Sequence, residues 1–288
     1  MLLLILFRFG KENNFKFLIL NFSLFSKFQL AKKYAHYYLT ASNGKGHGIH
    51  SPFVFDFIKN VLNDRTIYPP FSAIEQKRKT LVHDETEIEV DDFGAGSSVI
   101  KSKKRVVKKI AASSLKPKKY AQLLYRMVKY YKPETIVELG TSFGITTAYL
   151  AIANGQSKVF TCEGSSSIAS FAKNNFDDLD LKNIELTEGD FDKTITPLLS
   201  KLKTVDFAFI DGNHLKEPTL DYFTKFLNHS TQNSILIFDD IHWSAGMEEA
   251  WAAIKQHSSV TLTIDLFFIG IVFFNTDFNH KHHFTIRY

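Results

Sequence analysis

The sequence contains a single cysteine, Cys162, among 288 residues. One cysteine excludes an internal disulfide framework and zinc sites built from cysteine pairs, and it fits a reducing compartment such as the cytoplasm. There is no low-complexity tract, no internal repeat and no Ser-His-Asp hydrolase elbow. The hydrophobic content of 44% is that of a folded protein with a full core.

Long hydrophobic runs are also lacking. The opening MLLLILF is interrupted at Arg8 and Gly10, whereas a membrane span needs roughly 20 apolar residues. No basic segment precedes this run and no small-residue cleavage site follows it, which argues against a secretory signal. We expect residues 1–30 to form a packed or frayed amphipathic helix, with a membrane-surface contact as the alternative.

The net charge of +5 is mild but unevenly distributed. A basic block over residues 101–119 has no acidic residue, and an acidic block at 84–92 lies just before it. The basic block comprises Lys101, Lys103, Lys104, Arg105, Lys108, Lys109, Lys116, Lys118 and Lys119. A solvated, self-paired surface is the simpler interpretation; a patch for nucleic acid or an anionic substrate is the alternative.

From residue 135 onward, short apolar strands alternate with amphipathic helices. The predicted strands are 135–139, 158–163, 183–189, 205–211, 234–240, 260–265 and 267–274. Such spacing indicates βαβ units and a parallel sheet with helices on both faces. No crossover helix fits between the last two strands, so the last must run antiparallel. The predicted fold is therefore α/β, a Rossmann-like doubly wound seven-stranded sheet preceded by a mainly helical N-terminal region.

Two glycine loops, DDFGAGSS at 91–98 and ELGTSFGITT at 138–147, could each contact a nucleotide-like ligand. A phosphate- or nucleotide-edge site needs a strand, a tight glycine turn and then a helix. The second loop meets this pattern, because Gly140 and Gly144 lie between a strand and a helix. The first is followed by the basic block, with no strand predicted before residue 135. We therefore interpret DDFGAGSS as a turn and ELGTSFGITT as the binding loop.

Acidic residues close four successive strands, beginning with Glu138 at the end of the first. Glu163 ends the second strand, 19 residues beyond Gly144 (163 − 144 = 19). A carboxylate at this position can accept hydrogen bonds from both hydroxyls of a ribose. Asp190 and Asp211 end the next two strands. Because ligands bind at the carboxyl edge of open α/β sheets, these acids predict the site there.

The motifs ELGTSFGITT, TCEGS, EGDF, FAFIDGNH and LIFDDIHW, within residues 118–275, resemble class I S-adenosylmethionine-dependent methyltransferases. The resemblance is to the catechol O-methyltransferase-like branch and related bacterial small-molecule enzymes. It implies S-adenosylmethionine as cofactor, with Ser142 and Thr146 at its carboxylate, Glu163 at its ribose, and Asp190 and Phe191 at its adenine. The full set of implied cofactor residues is Glu138, Gly140, Thr141, Ser142, Gly144, Thr146, Glu163, Gly164, Asp190, Phe191 and Asp211.

The same resemblance implies a divalent metal, Mg²⁺, held by Asp211, Asp239 and Asp240, and a catalytic role for Asp211. Catechol-type enzymes carry asparagine at the third of these positions, so Asp240 is a departure, and helix capping without an ion is the alternative. The family's catalytic lysine is replaced by His214. Since histidine can act as a general base near neutral pH, His214 is the candidate catalytic base.

The resulting hypothesis is a cytoplasmic enzyme that transfers a methyl group from S-adenosylmethionine to a hydroxyl oxygen of a small molecule. Residues 118–288 would form the methyltransferase domain, and residues 1–117 a substrate cover or an oligomer contact such as a homodimer. Two alternatives remain: an RNA-directed methyltransferase that uses residues 101–119, and a non-catalytic cofactor-binding module. The sequence IDGN after strand four, in place of an N-P-P-Y-type motif, argues against methylation of base nitrogens.

Overall fold

The computed structural model describes residues 24–91, 104–275 and 280–288. The expectations for the N-terminal apolar run and for most of DDFGAGSS concern residues outside these ranges.

Helices and strands alternate through most of the chain. The helices are α1 (Lys27–Thr40), α2 (Pro52–Phe57), which continues into a π-helical turn (Ile58–Leu62), α3 (Pro70–Leu81), α4 (Val107–Ser114), α5 (Lys118–Tyr131), α6 (Ile145–Ala153), α7 (Ser166–Asp178), α8 (Phe191–Ser200), α9 (Lys216–Leu227) and α10 (Ala245–Gln256). The strands are β1 (Glu87–Glu89), β2 (Lys104–Val106), β3 (Thr135–Leu139), β4 (Lys158–Glu163), β5 (Ile184–Glu188), β6 (Phe207–Ile210), β7 (Ile235–Asp239), β8 (Leu262–Asp265), β9 (Ile269–Phe273) and β10 (His282–Thr285).

The main sheet has eight strands in the order β10-β8-β9-β7-β6-β3-β4-β5. Strand β9 runs antiparallel to both β7 and β8, and the other pairings are parallel. The predicted α/β class, the seven strands and the antiparallel direction of 267–274 are therefore confirmed. Reversal of the strand order at β3, between β6 and β4, creates the crevice in which ligands of such sheets bind.

Three strands were not predicted: β1, β2 and β10. Strand β10 adds an eighth, parallel edge strand, and its short HHFT sequence is half exposed, which gives a weak apolar signal. The three-residue β2 corrects the expectation of no strand between DDFGAGSS and residue 135. It pairs antiparallel with β1, placing Glu89 opposite Lys104, and Lys108 forms an ion pair with Glu85. The acidic and basic blocks thus partly neutralise each other, as the self-paired interpretation predicted.

Each face of the sheet packs against its own hydrophobic core, because successive side chains of a strand point to opposite faces. In β7, Ile235 and Ile237 enter the cluster that contains α5, whereas Leu236 and Phe238 enter the cluster beneath α8, α9 and α10. The apolar face of α5 packs in the first cluster, since its Leu and Met side chains are fully buried. These cores fix the strand ends that carry the site.

The N-terminal elements pack directly on the sheet region. Ser51 caps α2 by accepting from the Val54 N–H, and Val54 and Phe57 share a hydrophobic cluster with Phe273 of β9. The Tyr37 hydroxyl of α1 donates to the Ile286 carbonyl at 2.5 Å. Within the described ranges, no helix combines the length and apolarity that crossing a membrane requires.

Candidate active site at the carboxyl edge of the sheet

A cavity of about 820 Å³ opens where the carboxyl ends of β3, β4, β5, β6 and β7 meet the segment that joins α4 to α5. Most residues predicted for the site line it, from both halves of the sheet. They are Gly140, Ser142, Glu163, Gly164, Asp190, Phe191, Asp211, His214, Asp239 and Asp240. The structure therefore brings cofactor, base and metal candidates into one space.

Gly140 is required by the neighbouring strand. Its φ is +97°, and a Cβ at this position would lie 2.2 Å from the Asp211 carbonyl oxygen at the end of β6. Gly144 also has a positive φ, and its Cβ would meet the ring of Phe176 on α7. Both glycines thus allow close packing of protein atoms, and Gly144 does so away from the cavity wall.

Three predicted residues support the loop from below without lining the cavity. The buried carboxylate of Glu138 accepts hydrogen bonds from the hydroxyls of Thr147 and, at 2.7 Å, Thr161. Burial raises the pKa of Glu138 to about 8 against the effect of these hydroxyls. The Thr141 hydroxyl is 2.6 Å from that of Thr161, and Thr146 is buried in the first turn of α6. These residues position the glycine turn.

Glu163 is the acid best placed to hold a diol. Its carboxylate lines the cavity and accepts the backbone N–H groups of Ser142 at 2.8 Å and Ser165 at 3.0 Å. Burial raises the pKa of Glu163, while the N–H groups of Ser165, Ser142 and Gly164 oppose that rise. A carboxylate has about four acceptor positions, so capacity remains for two ligand hydroxyls.

The end of β5 forms the wall of the cavity on the side of Glu163. Asp190 caps α8 by accepting the Asp192 N–H at 3.1 Å. The Phe191 ring packs where Gly212 leaves room, since a Cβ on Gly212 would approach the ring to 2.5 Å. A flat apolar surface beside a polar edge suits an aromatic base.

The other half of the cavity contains an acidic centre at the ends of β6 and β7. Ligand atoms of Asp211, His214 and Asp239 all lie within 4.8 Å of one another, and His214 Nε2 is 3.4 Å from Asp211 Oδ1. Asp240, the third predicted metal ligand, is not part of this group. Burial and neighbouring carboxylates raise the pKa of Asp239 to about 7 and that of Asp240 to about 6.

Lys116 enters this centre from the segment between α4 and α5. Its side chain is only about one-tenth exposed; Nζ contacts Asp239 Oδ2 and lies 3.6 Å from Asp211 Oδ2. Burial lowers the pKa of Lys116, but Asp211, Asp239 and Asp240 raise it more, so the side chain carries a positive charge. Mg²⁺ would need these same oxygens at about 2.0–2.1 Å. The ammonium already takes that position, so the predicted metal site does not fit this arrangement.

The role of Lys116 was not predicted, because the sequence places it within a basic block that is otherwise largely exposed. An aromatic wall beside the acidic centre was also missed. It is formed by Tyr120, Trp243 and Phe268, which come from a helix, a loop and the turn before β9. Only the fold brings these distant positions together, and no spacing in the sequence marks them.

A second histidine of the LIFDDIHW motif has a structural role. His242 lies between two acids, with Nδ1 at 2.9 Å from Glu248 Oε1 and Nε2 at 2.8 Å from Asp265 Oδ2. Burial lowers the pKa of His242, and the two carboxylates raise it further than burial lowers it. Glu248 also binds Lys33 of α1 at 2.9 Å. This network fastens α1 to α10 and β8.

Comparison with known proteins agrees with this geometry. Residues 137–241 match a family model described as a methyltransferase domain. A curated relative, a tRNA (guanine-N(7)-)-methyltransferase of Mycoplasma mobile, is 35% identical over 106 residues, which are 34% of this chain and 53% of the relative. The chain thus spans about half the length of that relative.

Solved structures show the same fold at low identity. The SAH-bound methyltransferase PaMTH1 of Podospora anserina has a TM-score of 0.55 and 12% identity, over 78% of this chain and 97% of that one. A putative O-methyltransferase from Klebsiella pneumoniae has a TM-score of 0.52 and 16% identity, over 74% and 92% of the two chains. The chain therefore carries a methyltransferase domain, matched over residues 137–241, and shares its Rossmann-like fold with these solved methyltransferases.

Proposed function

We propose that the protein transfers a methyl group from S-adenosylmethionine to a hydroxyl oxygen of a small-molecule acceptor. The observation that carries this proposal is the cavity that joins Glu163 and the Gly140 turn to the Asp211, His214 and Lys116 centre. Methyl transfer requires cofactor and acceptor side by side, with the acceptor oxygen in line.

The cofactor half fits S-adenosylmethionine, which supplies an electrophilic methyl group when bound. Glu163 can accept the ribose hydroxyls, Phe191 offers a face to the adenine, and the Ser142 hydroxyl lies at the glycine turn. A volume of about 820 Å³ lies within the range of small-molecule sites. The SAH-bound Podospora protein shares this fold, which supports the same ligand class here.

The acceptor half can hold and deprotonate a hydroxyl. His214 lines the cavity beside Asp211, which is placed to orient the imidazole and to stabilise it once protonated. When bound, S-adenosylmethionine would supply the methyl group and leave as S-adenosylhomocysteine once its methyl carbon–sulfur bond breaks, and His214 would take up the proton of the acceptor hydroxyl. Tyr120, Trp243 and Phe268 favour an acceptor with an apolar, planar body. We also propose residues 1–117 as the substrate cover, because Leu115 and Lys116 form part of this wall.

Cofactor binding tests the first half of the proposal. Glu163→Ala should weaken binding of S-adenosylhomocysteine by about 1.5–3 kcal/mol, because it removes charge-assisted acceptors for the ribose and for two loop N–H groups. Isothermal titration calorimetry measures this directly. Glu188→Ala at the neighbouring strand end, outside the cavity, is the matched control. No binding by folded wild type would refute the proposal.

Catalysis tests the second half. His214→Gln should retain S-adenosylhomocysteine affinity within about twofold while methyl transfer falls by roughly 100-fold or more, as expected for loss of a general base. Transfer of labelled methyl from S-adenosylmethionine to a panel of phenols and alcohols supplies the measurement. Wild type that binds cofactor but methylates no member of a broad panel would favour the non-catalytic module. Unchanged turnover in His214→Gln would remove this residue from the reaction.

An RNA acceptor is the second candidate, favoured by the similarity to the Mycoplasma mobile enzyme. The described part of the basic block supports it only weakly. Lys108 pairs with Glu85, Lys116 is buried, and Lys119 Nζ lies 3.9 Å from the centre of the Tyr288 ring. RNA binding through phosphates should weaken steeply with salt, and Lys103, Lys104, Arg105 and Lys108 changed to Gln should flatten that slope. Filter retention of tRNA at several salt concentrations decides between the acceptors.

A further inference from the structure

We propose that the ammonium of Lys116 takes the place of a divalent cation in the acidic centre, so that the site binds Mg²⁺ only when Lys116 is removed. The inference rests on the geometry of the acidic centre and does not depend on the methyl acceptor.

The position of Nζ is the first argument. It contacts Asp239 Oδ2 and lies 3.6 Å from Asp211 Oδ2, so it lies against two of the three residues that otherwise have metal-ligand spacing. Asp239 is almost completely buried, with Oδ1 lacking a hydrogen-bond partner. A buried carboxylate needs a compensating charge, and Lys116 supplies it.

The segment that carries Lys116 is also anchored to the glycine turn and to α5. Two residues earlier, the Ser114 hydroxyl is 2.8 Å from the Ser142 hydroxyl of the glycine turn. Pro117 follows directly and precedes α5, whose buried face fixes the chain direction. The segment therefore contacts the cofactor loop and the acidic centre at once, and Lys116 is held in the site from both sides.

The chemistry of an ammonium differs from that of an ion. It carries one positive charge and three N–H donors, so after its contacts with the carboxylates it can still donate to an oxygen of the acceptor. It cannot bind two acceptor oxygens as Mg²⁺ can. Lys116 is accordingly a positioning residue for a single hydroxyl, and the requirement for a 1,2-diol that a chelating ion imposes is absent.

Thermal unfolding with Mg²⁺ tests this exchange of cations. The full chain, saturated with S-adenosylhomocysteine, is titrated with MgCl2 against NaCl of equal ionic strength. Wild type should show no Mg²⁺-specific change in Tm. In Lys116→Met the carboxylates are released, and Mg²⁺ at about 100 times its Kd should raise the Tm by on the order of 5 °C. Lys116→Arg keeps the charge and should remain insensitive, as should the matched surface variant Lys118→Met.

Two results would overturn the proposal. One is a saturable Mg²⁺ response in wild type that disappears in Asp239→Asn; the other is a folded Lys116→Met that shows no Mg²⁺ response. If Lys116→Met does not fold, Lys116→Met with Asp240→Asn lowers the repulsion and keeps Asp211, His214 and Asp239. That double variant should then gain the Mg²⁺ response, and its failure to do so would overturn the proposal equally.

Discussion

Gly140→Val should abolish measurable cofactor binding and lower the free energy of unfolding by about 2–5 kcal/mol. The left-handed backbone costs a side chain about 1–2 kcal/mol, and forcing extra atoms into a packed site adds about 1–3 kcal/mol. A Cβ would lie 2.2 Å from the Asp211 carbonyl oxygen, so the end of β6 must move. That shift displaces the glycine turn and the Asp211 carboxylate together. Calorimetry with S-adenosylhomocysteine and urea unfolding measure the two effects.

Gly48→Val separates backbone strain from the collision. Gly48 also has a positive φ, +81°, but a Cβ there meets no atom within 4 Å. This control should lose stability through strain alone and keep wild-type cofactor affinity. If a folded Gly48→Val lost as much cofactor affinity as Gly140→Val, the Gly140 result would be explained by general destabilisation. Displacement of β6 would then not be its cause. The sequence suggests Gly94→Val as a further control, but Gly94 lies outside the described residues.

The sequence predicted the sheet well because its strands are buried and short, with one helix between successive strands from β3 to β8. The bounds of β3 and β4 agree with the predicted 135–139 and 158–163, since both strands end in abrupt changes from apolar to polar or glycine residues. The carboxyl ends of parallel strands lie at the same edge of a sheet, so the sequence alone places Glu163, Asp190 and Asp211 at that edge. Strand β10 was not predicted, because its short sequence forms a strand only through pairing with β8 at the edge of the sheet.

The functions of the individual loop residues were harder to predict. Gly140 and Gly144 look alike in sequence, yet one lies against β6 and the other against α7. The family resemblance assigns Glu138 to the cofactor, whereas its side chain is buried under the turn. Period-two alternation explains this, because Glu138 and Leu139 point to opposite faces and only the loop beyond them reaches the cavity. Lys116 was the largest omission, since burial of one lysine in a basic block leaves no local signal.

The acidic centre provides the second large effect, which is expected in Lys116→Met. Removing one partner of a buried ion pair typically costs about 3–5 kcal/mol, because the other charge stays buried without compensation. Here Asp239 is fully buried and Asp211 lies beside it. We therefore expect Lys116→Met to lose about that much stability in buffer with chelator, measured by urea unfolding.

A double-mutant cycle shows whether this loss comes from the pair. Asp239→Asn removes the buried charge, so Lys116→Met combined with Asp239→Asn should be more stable than the sum of the two single effects predicts, by about 1–3 kcal/mol. Additive losses would mean that Lys116 stabilises the protein through contacts other than Asp239, such as the Asp211 carboxylate or the Phe209 ring, which lies 5.9 Å from Nζ. The Asp211 carboxylate remains in every variant of the cycle, so the coupling measured belongs to the contact between Lys116 and Asp239. Lys116→Arg is a separate test, because it keeps the positive charge. A stability close to wild type would show that the charge is sufficient, and a loss as large as that of Lys116→Met would show that the compact ammonium is required.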